Sequence, residues 1–242
     1  MTRFFTTPSD ISDGVIRLSA EDAAHIRSLR LQPSDVFIVC DGSGSDYICR
    51  LGARVSAGSI AEIIETRLSR GEPTVACDVF IAHAKGDRLE YAAQKSIELG
   101  ARSITLFPSA RCVSLPGDIA KKVTRLQRIA HETAKQCGRG RIPEVMAANS
   151  FSEAIGQASR AGLPLFFYEC EKELHLKQAL EQSGGISTVS IVTGPEGGFE
   201  PNEAELARSS GMSAVTLGPR ILRCETAPAA ALAAVMYHTG NM

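Results

Sequence analysis

From residue 75 to the C-terminus, short apolar runs alternate with amphipathic stretches, and few folds accept that order. Residues 75–82, 104–107, 164–169, 188–193 and 214–217 read as strands, being short, apolar and bounded by turn residues. Helical stretches separate them. Asp87 can cap one, with Glu90 completing a capping box and Gly100 ending it. Asp118 can cap a long one that runs to about Cys137, with Ile119, Val123, Leu126, Ala130, Thr133 and Ala134 at helical spacing. Residues 171–182, a segment started by Pro201 and stopped by Gly211, and residues 225–239 supply three more. Such alternation implies an α/β domain, a mainly parallel sheet covered by helices on both faces.

Residues 1–72 read differently. Residues 36–40 form a short apolar run, Asp41-Gly42-Ser43-Gly44-Ser45-Asp46 is a turn cluster, and residues 47–51 alternate apolar with polar, which together predict a β-hairpin. Residues 59–68 extend it by one strand. A small β-barrel or sandwich is expected over 1–72, joined through Gly71-Glu72-Pro73 to the α/β domain of 73–242.

The chain has 242 residues, 44% of them hydrophobic, enough for a sizeable core. Its net charge of −1 gives no bulk attraction for a polyanion, so any basic surface must be local. The seven cysteines include no C-x-x-C pair and read as reduced thiols. The N-terminus lacks the apolar core of a signal peptide, and the longest apolar run, 227–237, is short of the roughly 20 residues a membrane helix needs. A soluble cytoplasmic protein is expected, with no membrane partner. His83, His131, His175 and His238 are scattered without metal-ligand spacing, so no metal is expected.

Two stretches end neighbouring strands with glycine and charge. Gly194-Pro195-Glu196-Gly197-Gly198-Phe199 follows one; Leu217-Gly218-Pro219-Arg220-Ile221-Leu222-Arg223-Cys224-Glu225-Thr226-Ala227 follows the next. The first lacks both the spacing and the lysine of a phosphate loop, and Glu196 would repel phosphate. It suits hydroxyls or a cationic ligand, or is a plain tight turn. Glu225 and Thr226 stand where a helix should begin, a position that favours an acid. Loops that end adjacent βα units can share a pocket.

These two motifs resemble those of the bacterial 16S ribosomal RNA uridine N3-methyltransferases, members of the SPOUT superfamily of trefoil-knot methyltransferases. Arg3-Phe4-Phe5, His25 with Leu29-Arg30, Lys95 with Glu98-Leu99-Gly100, Gln136-Cys137-Gly138-Arg139 and Pro143 extend the resemblance over nearly the whole chain. Lys135 departs from it, standing where the family pattern calls for an acid. The resemblance implies a knotted C-terminal α/β domain, an N-terminal PUA-like β-barrel that binds RNA, a homodimer, and S-adenosylmethionine as cofactor. The implied cofactor residues are Tyr168, Glu169, Thr193, Gly194, Glu196, Gly197, Gly198, Leu217, Gly218, Ile221, Leu222, Arg223, Thr226 and Ala227. Glu169 and Glu196 would face ribose hydroxyls or the ligand's cationic end, and the glycines would let backbone approach it.

The implied reaction is methylation of N3 of one uridine in 16S rRNA, free or in the small ribosomal subunit. Arg223 is the expected stabiliser of charge on the uracil carbonyls, with Arg139 reaching over from the other subunit and Glu225 a conceivable base. Lys121, Lys122, Arg125, Arg128, Arg139 and Arg141 concentrate positive charge on the long helix and its exit; Arg3, His25, Arg27 and Arg30 form a second basic group. Both are expected to hold RNA backbone, although charge runs often only solvate a helix face. A ribose 2′-O-methyltransferase is the alternative within the superfamily, but Cys224-Glu225-Thr226-Ala227 departs from its asparagine- and serine-containing motif. A non-catalytic RNA-binding protein is the alternative outside it, and the intact glycines argue against that.

Overall fold

The computed structural model describes residues 2–55, 58–113 and 118–242; of the N-terminal run read above, Met1 lies outside them. The chain forms two compact units, Met1–Glu72 with Ala134–Ile142, and Pro73–Thr133 with Pro143–Met242.

In the first unit, strands β1 (Arg3–Phe5), β2 (Ile11–Ser12), β3 (Val15–Arg17), β4 (Val36–Cys40), β5 (Ser45–Val55) and β6 (Gly58–Leu68) form one sheet in the order β1-β4-β5-β6-β3-β2. The hairpin of β4 and β5 pairs Val36 with Arg50 and Cys40 with Asp46, as the turn cluster predicts. Phe4, Ile16, Phe37, Val39, Cys49 and Ala61 meet beneath it in a closed apolar cluster. Helix α1 (Ala20–Ser28) falls outside the all-strand expectation. Its signal is short: Ser19 Oγ accepts the Asp22 amide at 3.0 Å, and Ala23 and Ile26 give it one buried face.

Arg3, one of the basic residues read above, makes a core ion pair. Its guanidinium is 8% exposed and donates to Asp46 Oδ1 at 2.6 Å and Oδ2 at 2.9 Å, while Ser69 Oγ bonds to the same carboxylate. Either partner left alone would be an uncompensated buried charge. Burial raises the Asp46 pKa, but the Arg3, Ser69 and Cys40 hydrogen bonds outweigh it and hold the carboxyl below its ordinary value. Arg3 therefore pins the N-terminal strand.

In the second unit the strands are β7 (Ala76–Ala82), β8 (Ser103–Phe107), β9 (Glu144–Ala147), β10 (Leu163–Phe167), β11 (Thr188–Thr193) and β12 (Ser213–Val215). The helices are α2 (Arg88–Glu98), α3 (Ile119–Cys137, whose residues from Ala134 on belong to the first unit), α4 (Phe151–Ala158), α5 (Leu176–Gln182), α6 (Pro201–Ser209) and α7 (Ala227–His238). The sheet order is β12-β10-β11-β7-β8-β9 and every pairing is parallel, as the alternation requires. Chain order reverses between β7 and β11, and a doubly wound sheet binds its ligands beyond the carboxyl ends of strands near such a point.

Local differences have local causes. The Asp87 side chain makes no capping hydrogen bond; Glu90 instead faces α3, where Lys122 Nζ reaches it at 3.1 Å and Arg125 Nη2 at 2.8 Å. Gly100 does end α2, at φ +100. Asp118 caps α3 through the Lys121 amide at 3.1 Å. Helix α5 begins at Leu176 rather than 171, because Glu171 folds back to accept the amides of Lys172 and Glu173 and bonds Arg208. Helix α7 begins at Ala227 rather than 225, since the Arg223 carbonyl closes a turn on the Thr226 and Ala227 amides. The strand read at 214–217 stops at Val215, where Thr216 pairs with His175. β9 and α4 had no sequence reading; Ser150 caps α4 through the Glu153 amide.

Candidate functional site

Three loops leave the carboxyl ends of the neighbouring strands β12, β10 and β11, and they enclose a cleft of about 530 Å3. Tyr168 and Glu169 come from the loop after β10, residues 194–198 from the loop after β11, and residues 216–225 from the long loop before α7. Phe167, Val215, Leu217, Ile221 and Leu222 supply apolar wall, and Arg88, Arg220, Arg223, Glu169, Glu196 and Glu225 supply charge. Such a volume with a mixed lining is that of a small-molecule site, commonly roughly 300–1,000 Å3.

Phe199 anchors the glycine loop. It is 1% exposed, its ring centroid 4.4 Å from that of Phe166, and it lies parallel to Phe107 and tilted against Phe151. Glu169 Oε1 accepts the Phe199 amide at 3.0 Å, tying the loop after β10 to the loop after β11. Glu203 does the same on the far side: its carboxylate accepts the amides of Ala110 and Glu200, each at 2.9 Å, and the Ser109 hydroxyl at 3.2 Å. Arg111 joins Glu200 at 2.7 Å and the Gly197 carbonyl at 3.3 Å.

This packing gives the glycines a reason that the sequence reading did not. A Cβ on Gly198 would stand 1.7 Å from Glu169 Oε1, and its φ of +70 disfavours a side chain in any case. A Cβ on Gly197 would stand 2.9 Å from Arg111, and one on Gly194 would stand 3.0 Å from the Phe199 ring. These three make room for the protein itself. Gly218 differs: at φ +106 nothing lies within 4 Å of its would-be Cβ, so its backbone lies open on the cleft wall.

The carboxylates are also partly engaged. Glu196 Oε1 accepts the Lys85 amide at 2.9 Å and Arg88 Nη1 at 2.8 Å, while Oε2 is buried without a partner. Burial opposes its ionisation, but the backbone donors and Arg88 prevail and hold it below the ordinary carboxylate range. Glu225 is lowered too: burial is outweighed by a backbone amide, by the Cys224 thiol donating to Oε2 at 3.2 Å, and by the charges of Arg88 and Arg223. Burial, with Glu225 beside it, pushes the Cys224 thiol to about 12, so it is a donor and not a nucleophile.

Twelve of the fourteen residues expected at the cofactor line this one cleft. Thr193 and Thr226 do not. Thr193 is 1% exposed, with its hydroxyl donating to the Phe80 carbonyl, and Thr226 sits at the α7 cap position facing solvent. Arg223 and Glu225 line the cleft together. Arg139 does not line it; its guanidinium is 5% exposed and bonds Glu72 at 2.8 Å, beside the Gly140 and Arg141 amides that share that carboxylate. Lys135, the departure from the family pattern, lies 3.9 Å from Asp22. His25, Arg27 and Arg30 are exposed in the first unit; Lys121, Arg125 and Arg128 are exposed on α3, and Lys122 is half-buried against Glu90. Sequence reasoning missed Arg88 and Thr216, which lie outside both motifs; Arg220 and Cys224 were legible in the second motif but carried no assigned role. Arg88 was hidden by the capping pattern around Asp87, since a helix-start signal says nothing of which loop lies across from it.

Replacing Gly198 with alanine forces both a strained φ and displacement of Glu169 from the Phe199 amide. Gly198→Ala should lower stability by about 2 kcal/mol in urea unfolding. An unchanged midpoint would mean that the Glu169 contact does not hold the loop.

Comparison with known proteins agrees with this geometry. Residues 71–236 match the RNA methyltransferase domain family and residues 18–59 the RNA methyltransferase PUA domain family. The chain is 33% identical to a Bacillus subtilis ribosomal RNA small subunit methyltransferase E, covering 99% of this chain and 97% of that one. It is 32% identical to the Synechocystis protein of the same name, covering 96% and 76%. The fold superposes with a TM-score of 0.86 on the ribosomal RNA small subunit methyltransferase E of Neisseria gonorrhoeae bound to S-adenosyl methionine, at 30% identity and with 98% and 97% of the two chains covered. A match of this extent, over both the sheet and the N-terminal unit, places the chain in the ribosomal RNA small subunit methyltransferase E family.

Proposed function

We propose that this chain transfers a methyl group from S-adenosylmethionine to N3 of a uridine in 16S ribosomal RNA. The observation that carries the reading is the cleft that joins three cofactor-type loops to Arg223 and Glu225. Bound there, S-adenosylmethionine supplies an electrophilic methyl on a sulfonium. Leu217, Ile221, Leu222 and Tyr168 offer the apolar wall for an adenosine, and the open backbone at Gly218 offers hydrogen bonds to its edge.

Uridine N3 carries an imide proton that must leave as the nitrogen attacks. Glu225, held below the ordinary carboxylate range chiefly by a backbone amide and the Cys224 thiol, is the acceptor in reach of the cleft. Arg223, exposed on the wall, stabilises the negative charge that develops on the uracil carbonyls. Base rather than ribose methylation is favoured by the Cys224-Glu225 pair, which places a carboxylate where the ribose enzymes carry asparagine and serine.

RNA backbone is held by α3. Glu90 takes Lys122 and Arg125, and Lys121 pairs with Asp118 at 3.0 Å while staying exposed; Arg128 also faces solvent, and the first unit adds Arg27 and Arg30. The protein acts as a homodimer. Helix α7 is apolar on all sides, and such a helix belongs in an interior; Leu232, Val235 and Met236 are buried within the chain, but Tyr237 is 77% exposed. Tyr91 on the adjacent α2 and Ile221 at the cleft rim are exposed as well, apolar side chains that a second copy would cover. No helix among the described residues is long and apolar enough to cross a membrane, and a ribosomal substrate puts the enzyme in the cytoplasm.

Purified protein incubated with labelled S-adenosylmethionine and small-subunit rRNA should yield N3-methyluridine on nucleoside digestion, and Arg223→Ala should cut the rate by about 100-fold with folding retained. A 2′-O-methylated product would overturn the assignment. Lys121→Ala with Arg128→Ala should reduce the salt slope of RNA binding by about 1 per lost phosphate contact and spare cofactor binding. Light scattering should give twice the chain mass of 25.8 kDa, reverting toward one chain in Tyr237→Glu.

A further inference from the structure

Arg88 has no part in the reading above beyond its charge, yet it stands where three parts of the site meet. It opens α2, immediately after the β7 turn, and lines the cleft. Its Nη1 donates to Glu196 in the middle of the glycine loop at 2.8 Å. Its charge also acts on Cys224 and Glu225, in the turn before α7. Arg88 thus links β7–α2, the loop after β11 and the loop after β12.

The pair is unequal. Arg88 is 43% exposed, but Glu196 is 18% exposed, and one of its oxygens is buried without a partner. A carboxylate so placed stays inward only because its other oxygen is doubly engaged, by Arg88 and by the Lys85 amide. Both donors come from residues 85–88, the segment that leads into α2. If Arg88 is removed, Glu196 keeps one backbone donor against an orphaned oxygen, and turning outward becomes its better option. Pro195 and Gly197 flank it and line the same cleft, so the wall moves with it. Unlike an exposed ion pair on a rigid helix, this one is attached to a short loop whose shape is the site.

We propose that Arg88 is a positioning residue for cofactor binding, acting through Glu196 to hold the loop of residues 194–198 in its binding shape. The proposal rests on the reading of the cleft as an S-adenosylmethionine site. It assigns Arg88 to affinity for the cofactor and not to the chemical step: it anchors Glu196, whereas Arg223 and Glu225 face the reacting base. Because the contact is a hydrogen-bonded ion pair, lysine, which keeps the charge on a flexible stem, should serve in part.

The test compares wild type with Arg88→Ala, Arg88→Lys, and Arg88→Glu alone and combined with Glu196→Arg. The readouts are calorimetric Kd for S-adenosylmethionine, KM for it, kcat at saturation, and the thermal midpoint. Arg88→Ala should raise Kd and KM together by about tenfold and leave kcat within about twofold, the split expected when binding of the ground state is lost. Arg88→Lys should recover most of the affinity, and the double exchange should bind better than Arg88→Glu alone. Wild-type Kd in Arg88→Ala, or a fall in kcat with KM unchanged, would overturn the proposal. So would a lysine variant no better than alanine at an equal thermal midpoint. Wild type that binds no S-adenosylmethionine would instead defeat the reading of the cleft, so the two failures are distinguishable.

Discussion

The Phe199 ring, buried among Phe166, Phe107 and Phe151, is the contact on which the rest of the site depends. It fixes one end of a loop that has little side-chain bulk of its own. A loop rich in glycine has many conformations to lose, and it needs a strong anchor to adopt one. A buried phenylalanine gives about 2–3 kcal/mol of apolar burial at one point. The Phe199 amide, bonded to Glu169, then converts that point into a fixed direction for the backbone.

Around this anchor the protein spends its carboxylates on holding loops. Glu169 binds the loop after β11 from one side, Glu203 ties the segment at 109–110 to the start of α6, and Glu196 reaches the start of α2. Each accepts backbone amides that regular secondary structure leaves unpaired, and amides at helix starts are the ready donors. Among the described residues, Glu225 is the carboxylate on the cleft wall that makes no loop-bridging hydrogen bond; its neighbour Cys224 donates to it, and that thiol and a backbone amide hold its carboxyl low. The difference in partners separates the scaffolding acids from the acid that can meet a ligand.

Much of the fold was legible because its signals are periodic. The strands at 188–193 and 36–40 fall where the apolar runs stand, and α3 and α6 follow their caps. What failed were signals that compete. Asp87 and Glu90 have capping-box spacing, but Glu90 gains two cations on α3 and is drawn away. Residues 171–175 have helical composition, but the Glu171 carboxylate satisfies the local amides in a turn instead. Arg3 reads as a basic residue at a terminus, and only the Asp46 side chain, 43 positions on, makes it a core ion pair. Of the site, the glycines and charged residues of both motifs were visible; Arg88 and the reason for each glycine were not.

The sequence by itself determined the parallel sheet and the two motifs at the strand ends, because hydrophobic period, caps and turn residues act over a few neighbours. Which strands adjoin, and therefore which loops share a cleft, was decided by tertiary structure. The order β12-β10-β11-β7 brings residues 168, 196, 217 and 88 to one edge. Roles were decided there too. A glutamate's chemistry depends on the donors that surround it, and in this chain the donors to Glu169 and Glu196 come from elements 30 and 108 or more positions away.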